Sequence, residues 1–157
     1  MVFRLLFVLF LLPFSSTGQV KCYAGDQRFS SDLCYRVDNN QLYKATGSFR
    51  EVEYYFLEGS QVYFGRRGFG NDAVYTFTDK AIYKGNSTMS NDLLYTIHEN
   101  GIYVGTSTVF SDCLFFLENG KIYRGKSTST FDLLLSCDKT VLTTEEFILL
   151  VAAVLPY

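Results

Sequence analysis

The sequence has little of what most enzymes, metalloproteins and nucleic-acid-binding proteins use. It contains no tryptophan, one histidine, two prolines and four cysteines in 157 residues. The cysteines lack C-x-x-C spacing and have no nearby histidine partners, which excludes the usual zinc sites. A formal net charge of −2 gives no basic surface for nucleic acid. We therefore expect no metal, no cofactor and no nucleic-acid partner.

Catalytic motifs are equally scarce. The single histidine, His98, occupies a predicted turn position that other parts of the chain fill with Asp38, Glu58, Thr78, Glu118 and Asp138. No nucleophile has a recognisable base partner, and no glycine-rich phosphate loop is present. The sequence predicts a protein that is not an enzyme, with a hydrolase of unrecognised site as the alternative.

The dominant feature is a repeat of 20 residues. From Lys21 onward the chain divides into six copies without insertion or deletion, and the clearest are AIYKGNSTMSNDLLYTIHEN at 81–100 and GIYVGTSTVFSDCLFFLENG at 101–120. A fixed period of this length indicates a repeat architecture. Numbering each copy from 1 to 20, position 2 is apolar, position 5 is Gly except for Ala45, and position 12 is Asp except for Val52.

Each copy has the pattern of a β-hairpin. Aromatic and β-branched residues at positions 1–5 and 12–17 predict two strands, joined by a polar loop at positions 6–11. Successive copies meet at turn sequences such as Asn119-Gly120, a strong hairpin signal. The pattern predicts that positions 2 and 15 lie opposite each other. Positions 2, 13, 15 and 17 would then share one face, and positions 3, 12, 14 and 16 the other.

Apolar residues on both faces require cover on both sides of the sheet, or they leave an aromatic face exposed for a partner. We predict an all-β domain of six hairpins stacked as a roll or solenoid. A closed ring or a propeller-like disc is the alternative, because closure removes edge strands.

Tyrosine fills position 3 in every copy. Tyrosine rings suit sugars, cations or protein partners, although the same residues could simply pack in the sheet. The candidate binding residues are Tyr23, Tyr43, Tyr63, Tyr83, Tyr103 and Tyr123.

The aspartates at position 12 lie where the loop re-enters a strand. A short carboxylate there can accept hydrogen bonds from the loop, so we predict a loop-capping role. A ladder of carboxylates binding an ion is the alternative, but a calcium site needs several oxygen ligands within one loop. These residues are Asp32, Asp72, Asp92, Asp112 and Asp132.

Both termini depart from the repeat. Residues 1–18 combine Arg4, an apolar run and small residues, which is typical of a secretory signal peptide. Residues 19–140 form the repeat domain, and residues 141–157 a helical cap in which Thr143 and Glu146 spell a capping box. Alternatively, the tail after Ser136 is a glycolipid-anchor signal that is removed, leaving a cell-surface protein.

Secretion permits disulfides and glycosylation. Cys22, Cys34, Cys113 and Cys137 allow three pairings, among which the pattern does not decide, and buried free thiols are the alternative. Asn86 begins an N-glycosylation sequon in a predicted loop.

The phrase IYxGxSTxxSDxLY, carried by Ile82–Tyr95, together with the ending Leu142–Phe147, resembles a group of uncharacterised secreted tandem-repeat proteins. The Tyr-x-Gly hairpins are more distantly similar to MORN repeats and to choline-binding repeats, although the Gly-Trp signature of the latter is missing. The resemblance implies the repeat unit and no chemistry. We predict a secreted binding or surface-display module with a protein or glycan partner, which contacts a membrane only if its tail is an anchor signal.

Overall fold

The computed structural model describes residues 18–46, 50–66 and 72–155. The signal-peptide prediction falls on residues 1–17 and lies outside this range. Within the described residues there are twelve strands and one helix. The strands are β1 Val20–Ala24, β2 Leu33–Asp38, β3 Gln41–Ala45, β4 Glu51–Glu58, β5 Gln61–Phe64, β6 Ala73–Phe77, β7 Ala81–Lys84, β8 Leu93–His98, β9 Gly101–Val104, β10 Cys113–Glu118, β11 Lys121–Arg124 and β12 Leu133–Cys137, and the helix is α1 Thr144–Val154.

The strands form one closed antiparallel barrel. Each strand pairs with its neighbours in sequence, and β1 pairs with β12 to close the ring. The prediction of an open roll or solenoid is therefore wrong, and the closed alternative holds. The four middle hairpins would contact the same two neighbours in either arrangement, so the pairing of the first copy with the last is the only difference. Closure leaves no strand edge exposed to another chain.

The junctions between copies repeat one register. Position 17 of each copy lies opposite position 2 of the next, as in Ile97 with Ile102 and Leu117 with Ile122. At the closing seam Cys137 lies opposite Cys22 in the same relationship. The seam, where β12 pairs with β1, is therefore a sixth junction with the same register as the other five.

A disulfide fixes this seam. Cys22 and Cys137, separated by 115 residues, are bonded to each other. Cys34 and Cys113 are free thiols, so neither a Cys22–Cys34 nor a Cys113–Cys137 bond forms. The backbone N–H of Asp138 also donates to the carbonyl of Lys21 across the seam.

The predicted opposition of positions 2 and 15 is confirmed, as in Ile82 with Tyr95. The predicted faces are wrong at two positions because the register shifts between positions 2 and 3. Leu93, at position 13, lies opposite Tyr83 on the outer face, whereas Leu94, at position 14, packs against the core. A β-bulge places one extra residue on the second strand of the hairpin and so reverses the alternation there.

The inner face of the barrel and the helix form one core. The position-2 side chains are at most 3 % exposed in all six copies. Twelve strands about 4.8 Å apart enclose a lumen about 18 Å across between backbones, which is wide enough for an α-helix. Helix α1 lies inside this lumen, with Leu149 and Leu150 fully buried, so it fills the barrel instead of covering the end of a stack.

The capping box at the start of α1 is confirmed. The Thr143 hydroxyl accepts from the Glu146 N–H, and the Glu146 carboxylate accepts from the Thr143 N–H. Lys139 Nζ also donates to both Glu146 oxygens at 2.9 Å. No helix in the described part of the chain is long and apolar enough to cross a membrane.

Turns between copies require positive backbone φ angles. In the turn that joins β10 to β11, Asn119 and Gly120 have φ of 51° and 72°. Asn39 and Asn40 repeat this arrangement between β2 and β3, with φ of 49° and 61°. Positive φ at both central residues matches the type I′ turns that the asparagines and glycines predict.

Candidate functional site

The barrel has two different ends. At the turn end, Thr144 and Phe147 of α1 line clefts together with residues of the inter-copy turns. At the opposite end the chain leaves the strands through the loops. The helix reaches toward that second end, because the Tyr35 hydroxyl donates to the carbonyl of Ala153 at 3.4 Å.

Loops on this second side bend back along the outer wall. Lys126, in the loop after β11, forms an ion pair at 3.1 Å with Glu99 of a turn. Arg28, in the loop after β1, donates to the carbonyl of Cys137 at 2.8 Å. These two loops therefore lie beside the barrel and not over the loop end of its lumen. We call this end of the lumen the mouth.

Position 4 of each copy forms the rim of the mouth. Residues directly opposite each other in an antiparallel pair point to the same face. Lys84 lies opposite Tyr75, and Arg124 lies opposite Phe115, both of which belong to the inner face. The rim side chains are accordingly directed inward, and they are exposed at the strand ends: Ala24, Lys44, Phe64, Lys84, Val104 and Arg124.

Cations alternate with apolar residues around this rim. Lys44, Lys84 and Arg124 belong to the second, fourth and sixth copies, and an apolar residue occupies each copy between them. Among the described residues, none of the three forms an ion pair with a carboxylate. Other basic residues do, including Arg36 with Glu51 at 2.6 Å. The mouth therefore presents three positive charges that are available to a ligand.

Below the rim the lumen is apolar. Position-14 side chains pack against the core but are only partly buried, among them Tyr54, Val74 and Leu94. Between the third and fourth copies they border a cavity of about 430 Å³, into which Lys84 also projects. The mouth thus combines positive charge with apolar surface.

Burial shifts the titration of groups near the mouth. It raises the pKa of Tyr35 and of Tyr95 above the usual value for tyrosine. It also raises the pKa of the Cys34 thiol, and Lys44 opposes this shift. Lys44 itself lies over the ring of Tyr54, with Nζ 5.1 Å from the ring centroid.

The candidate tyrosines at position 3 lie elsewhere, on the outer wall. Each faces position 16 of the preceding copy, so the partner differs from copy to copy: Tyr63 stacks on Phe56 at 4.9 Å, and Arg36 lies 3.8 Å over Tyr43. Tyr103 and Tyr123 are buried, whereas Tyr23, Tyr43, Tyr63 and Tyr83 are partly exposed. The barrel distributes these six residues around its circumference and does not bring them together.

The position-12 aspartates lie where each loop meets the second strand of its copy. Asp112 accepts from the Ser107 hydroxyl at 2.6 Å, and Asp132 accepts from Ser127 at 2.7 Å. Asp32 and Asp92 end short 3₁₀ turns in the equivalent place, while Asp72 precedes β6. Asn86 is exposed in its loop. Within the described segments, no three histidine, cysteine or acidic side chains are grouped closely enough to hold a metal ion.

His98 lies at the turn end, opposite to the mouth. Its side chain is 51 % exposed, and its nearest charged partner is Glu99 at 3.9 Å. Sequence reasoning missed the rim because it treated position 4 only as part of a strand. Counting by twos from the buried position 2 would have placed position 4 on the inner face and revealed the alternation of Lys44, Lys84 and Arg124.

Comparison with known proteins identifies a family and no individual relative. No curated protein and no solved structure matches the chain. A family model described as "6-fold beta flower protein" matches residues 22–150, which include eleven complete strands, the last three residues of β1 and most of α1. This match supports a tandem-repeat β family and does not extend to MORN or choline-binding repeats. The chain belongs to the 6-fold beta flower protein family.

Proposed function

We propose that the protein is a secreted, non-enzymatic binding module that takes a negatively charged ligand with an apolar part at the mouth of its barrel. The observation that carries this proposal is the rim, where Lys44, Lys84 and Arg124 face inward and have no carboxylate partner in the described part of the chain. Cations left unpaired above an apolar lumen are suited to charge-assisted hydrogen bonds with an anion.

The geometry favours the mouth, and not the six position-3 tyrosines on the outer wall, as the binding site. The outer tyrosines face position 16, which is Arg36 in one copy, Phe56 in another and Thr76 in a third. A ligand would meet a different surface at each of them. At the mouth, residues of several copies converge on one opening, as small-molecule sites generally require.

The position of the only histidine supports a non-enzymatic role. His98 lies at the turn end and cannot assist chemistry at the mouth. The hydrolase alternative would need a site that uses neither His98 nor the rim.

The arrangement of the C-terminal segment favours a secreted protein over a glycolipid-anchored one. Removal of the tail after Ser136 would delete Cys137, which forms the seam disulfide, and the whole of α1, which fills the lumen. We therefore expect the mature protein to retain its tail. The mass of the product secreted by expressing cells distinguishes the two possibilities.

Loss of the rim charges tests the proposed function. Titration calorimetry with decanoate should show binding to the secreted chain, and the combined variant Lys44→Gln, Lys84→Gln and Arg124→Gln should lose it. The matched control, Arg50→Gln, Arg66→Gln and Lys80→Gln, removes the same charge from exposed positions that do not belong to the rim and should bind normally. Equal loss in both variants, or binding that persists in the rim variant, would contradict the proposal.

A further inference from the structure

We infer that the cavity between the third and fourth copies holds the apolar part of an amphiphilic anion, with Lys84 binding its anionic group. This inference rests on the proposed function and assigns it to one place in the barrel. The cavity measures about 430 Å³, within the range of small-molecule pockets. It is lined by Ala73, Val74, Tyr75, Lys84, Gly85, Leu94 and Tyr95.

The cavity is open because Val74 and Lys84 leave space that aromatic rings fill at the preceding junction. At the preceding junction, Tyr54 and Phe64 occupy positions 14 and 4, and their ring centroids are 5.7 Å apart in an edge-to-face contact. The ring centroid of Tyr55 lies 4.4 Å from that of Tyr54, so Tyr55 completes this aromatic cluster. These rings fill the space that is open at the next junction, where Val74 replaces the tyrosine and Lys84 replaces the phenylalanine.

The same replacements determine the chemistry of the ligand. Val74, Leu94 and the inner rings of Tyr75 and Tyr95 offer apolar surface for a hydrocarbon or aromatic body. Lys84 adds one positive charge and, among the described residues, has no carboxylate partner. Of the other rim cations, Lys44 already lies over the Tyr54 ring. An amphiphilic carboxylate, with its chain in the cavity and its head at Lys84, satisfies both features.

Three probes with the same ten-carbon chain separate the contributions of charge and apolar body. Calorimetric titration of the full secreted chain should show binding of decanoate, much weaker binding of decanol and none of decyltrimethylammonium. Decanol binding as tightly as decanoate would overturn the role of Lys84. Failure of all three probes to bind would overturn both this inference and the proposed function.

Variants then locate the site. Val74→Tyr copies the residue that fills the preceding junction and should abolish decanoate binding. Lys84→Gln should weaken binding by about tenfold, as expected for loss of one charge-assisted hydrogen bond. The matched control is Lys80→Gln, which removes an exposed charge from the turn between β6 and β7, at the end opposite to the mouth, and should change the affinity by less than about twofold.

These variants also distinguish failure of the inference from failure of the proposed function. If decanoate binds but neither Val74→Tyr nor Lys84→Gln weakens it more than Lys80→Gln does, the assigned cavity is wrong, and the combined rim variant decides whether the mouth binds the anion elsewhere. Lys84 is exposed, so Lys84→Gln should fold normally and decides the question even if the tyrosine at residue 74 disturbs folding.

Discussion

The ring of Tyr103 lies against the backbone of Gly101, in the space that a side chain at residue 101 would occupy. A Cβ added to Gly101 would lie 2.7 Å from Cε2 of that ring. Residue 81 is the equivalent position in the preceding copy, where alanine is present and Tyr83 is only partly buried. The missing side chain at Gly101 therefore allows Tyr103 to lie deeper than Tyr83 does.

Gly101→Ala should consequently displace the Tyr103 ring. We expect Tyr103, which is 0 % exposed, to become about as accessible as Tyr83, with a loss of about 1 kcal/mol in the free energy of unfolding. Urea unfolding and quenching of tyrosine fluorescence by acrylamide measure the two effects. The reverse change, Ala81→Gly, serves as the control, because it adds no side chain that could displace a tyrosine ring. Unchanged acrylamide quenching in Gly101→Ala would contradict the predicted displacement of Tyr103.

The seam disulfide should contribute more to stability than any other single covalent feature of the barrel. It closes a loop of 115 residues, so the chain-entropy argument predicts a loss of about 2–5 kcal/mol when Cys22 and Cys137 are both changed to serine. Urea unfolding measures this loss. The control is Cys34→Ala with Cys113→Ala, which leaves the seam intact. Dithiothreitol should lower the unfolding midpoint of that control but not of the serine variant.

The seam also shows which part of the architecture the sequence could predict. The alternation of apolar residues was sufficient for the strand pairs and for the opposition of positions 2 and 15. This alternation was insufficient to predict that the barrel closes, because a roll and a ring use identical contacts between neighbouring copies. In retrospect the cysteines contained the signal: Cys22 at position 2 and Cys137 at position 17 occupy the two columns that pair between copies, at the two ends of the repeat array.

The mouth was harder to predict. The β-bulge directs the position-14 side chains inward, and the sequence of the polar loop did not predict this bulge. The placement of α1 was also hidden, because an apolar helix can cover the end of a stack as readily as it can fill a lumen. The number of strands decides whether the helix covers the end or fills the lumen, because about twelve strands are needed before a helix fits inside a barrel.

Gly120→Ala should be one of the most damaging glycine substitutions. Gly120 has a φ of 72°, and a Cβ there would overlap the backbone carbonyl oxygen of Lys139, where the chain leaves the barrel for α1. We expect a loss of more than about 2 kcal/mol in the free energy of unfolding, measured in urea. Gly59→Ala is the matched control, because its φ is 61° but nothing lies within 4 Å of an added Cβ, and it should cost only about 1 kcal/mol. Equal costs would show that the contact with Lys139 is unimportant.

Stability should fall in alkaline solution. Burial raises the pKa of Cys34 and Cys113 above their usual 9.0, and that of Tyr35 and Tyr95 above 10.0. The unfolded chain therefore loses these protons first, and unfolding becomes more favourable as the pH rises above about 9. Urea titrations between pH 7 and 10.5 should show a declining midpoint, and Cys34→Ala with Cys113→Ala should remove the earliest part of the decline. A midpoint that is independent of pH would contradict these assignments.

The capping box of α1 should hold the helix in the lumen. The Thr143 hydroxyl accepts the Glu146 N–H at 3.3 Å, and this bond disappears in Thr143→Ala, which should lower the free energy of unfolding by about 1 kcal/mol. Thr144→Ala is the matched control, because Thr144 is the exposed first residue of the helix and its side chain does not form the cap. Hydrogen exchange at residues 144–148 should accelerate in Thr143→Ala while the strands remain protected, because fraying of the first turn does not require the barrel to open. Equal exchange in the two variants would show that packing against the barrel, and not the cap, fixes the start of the helix.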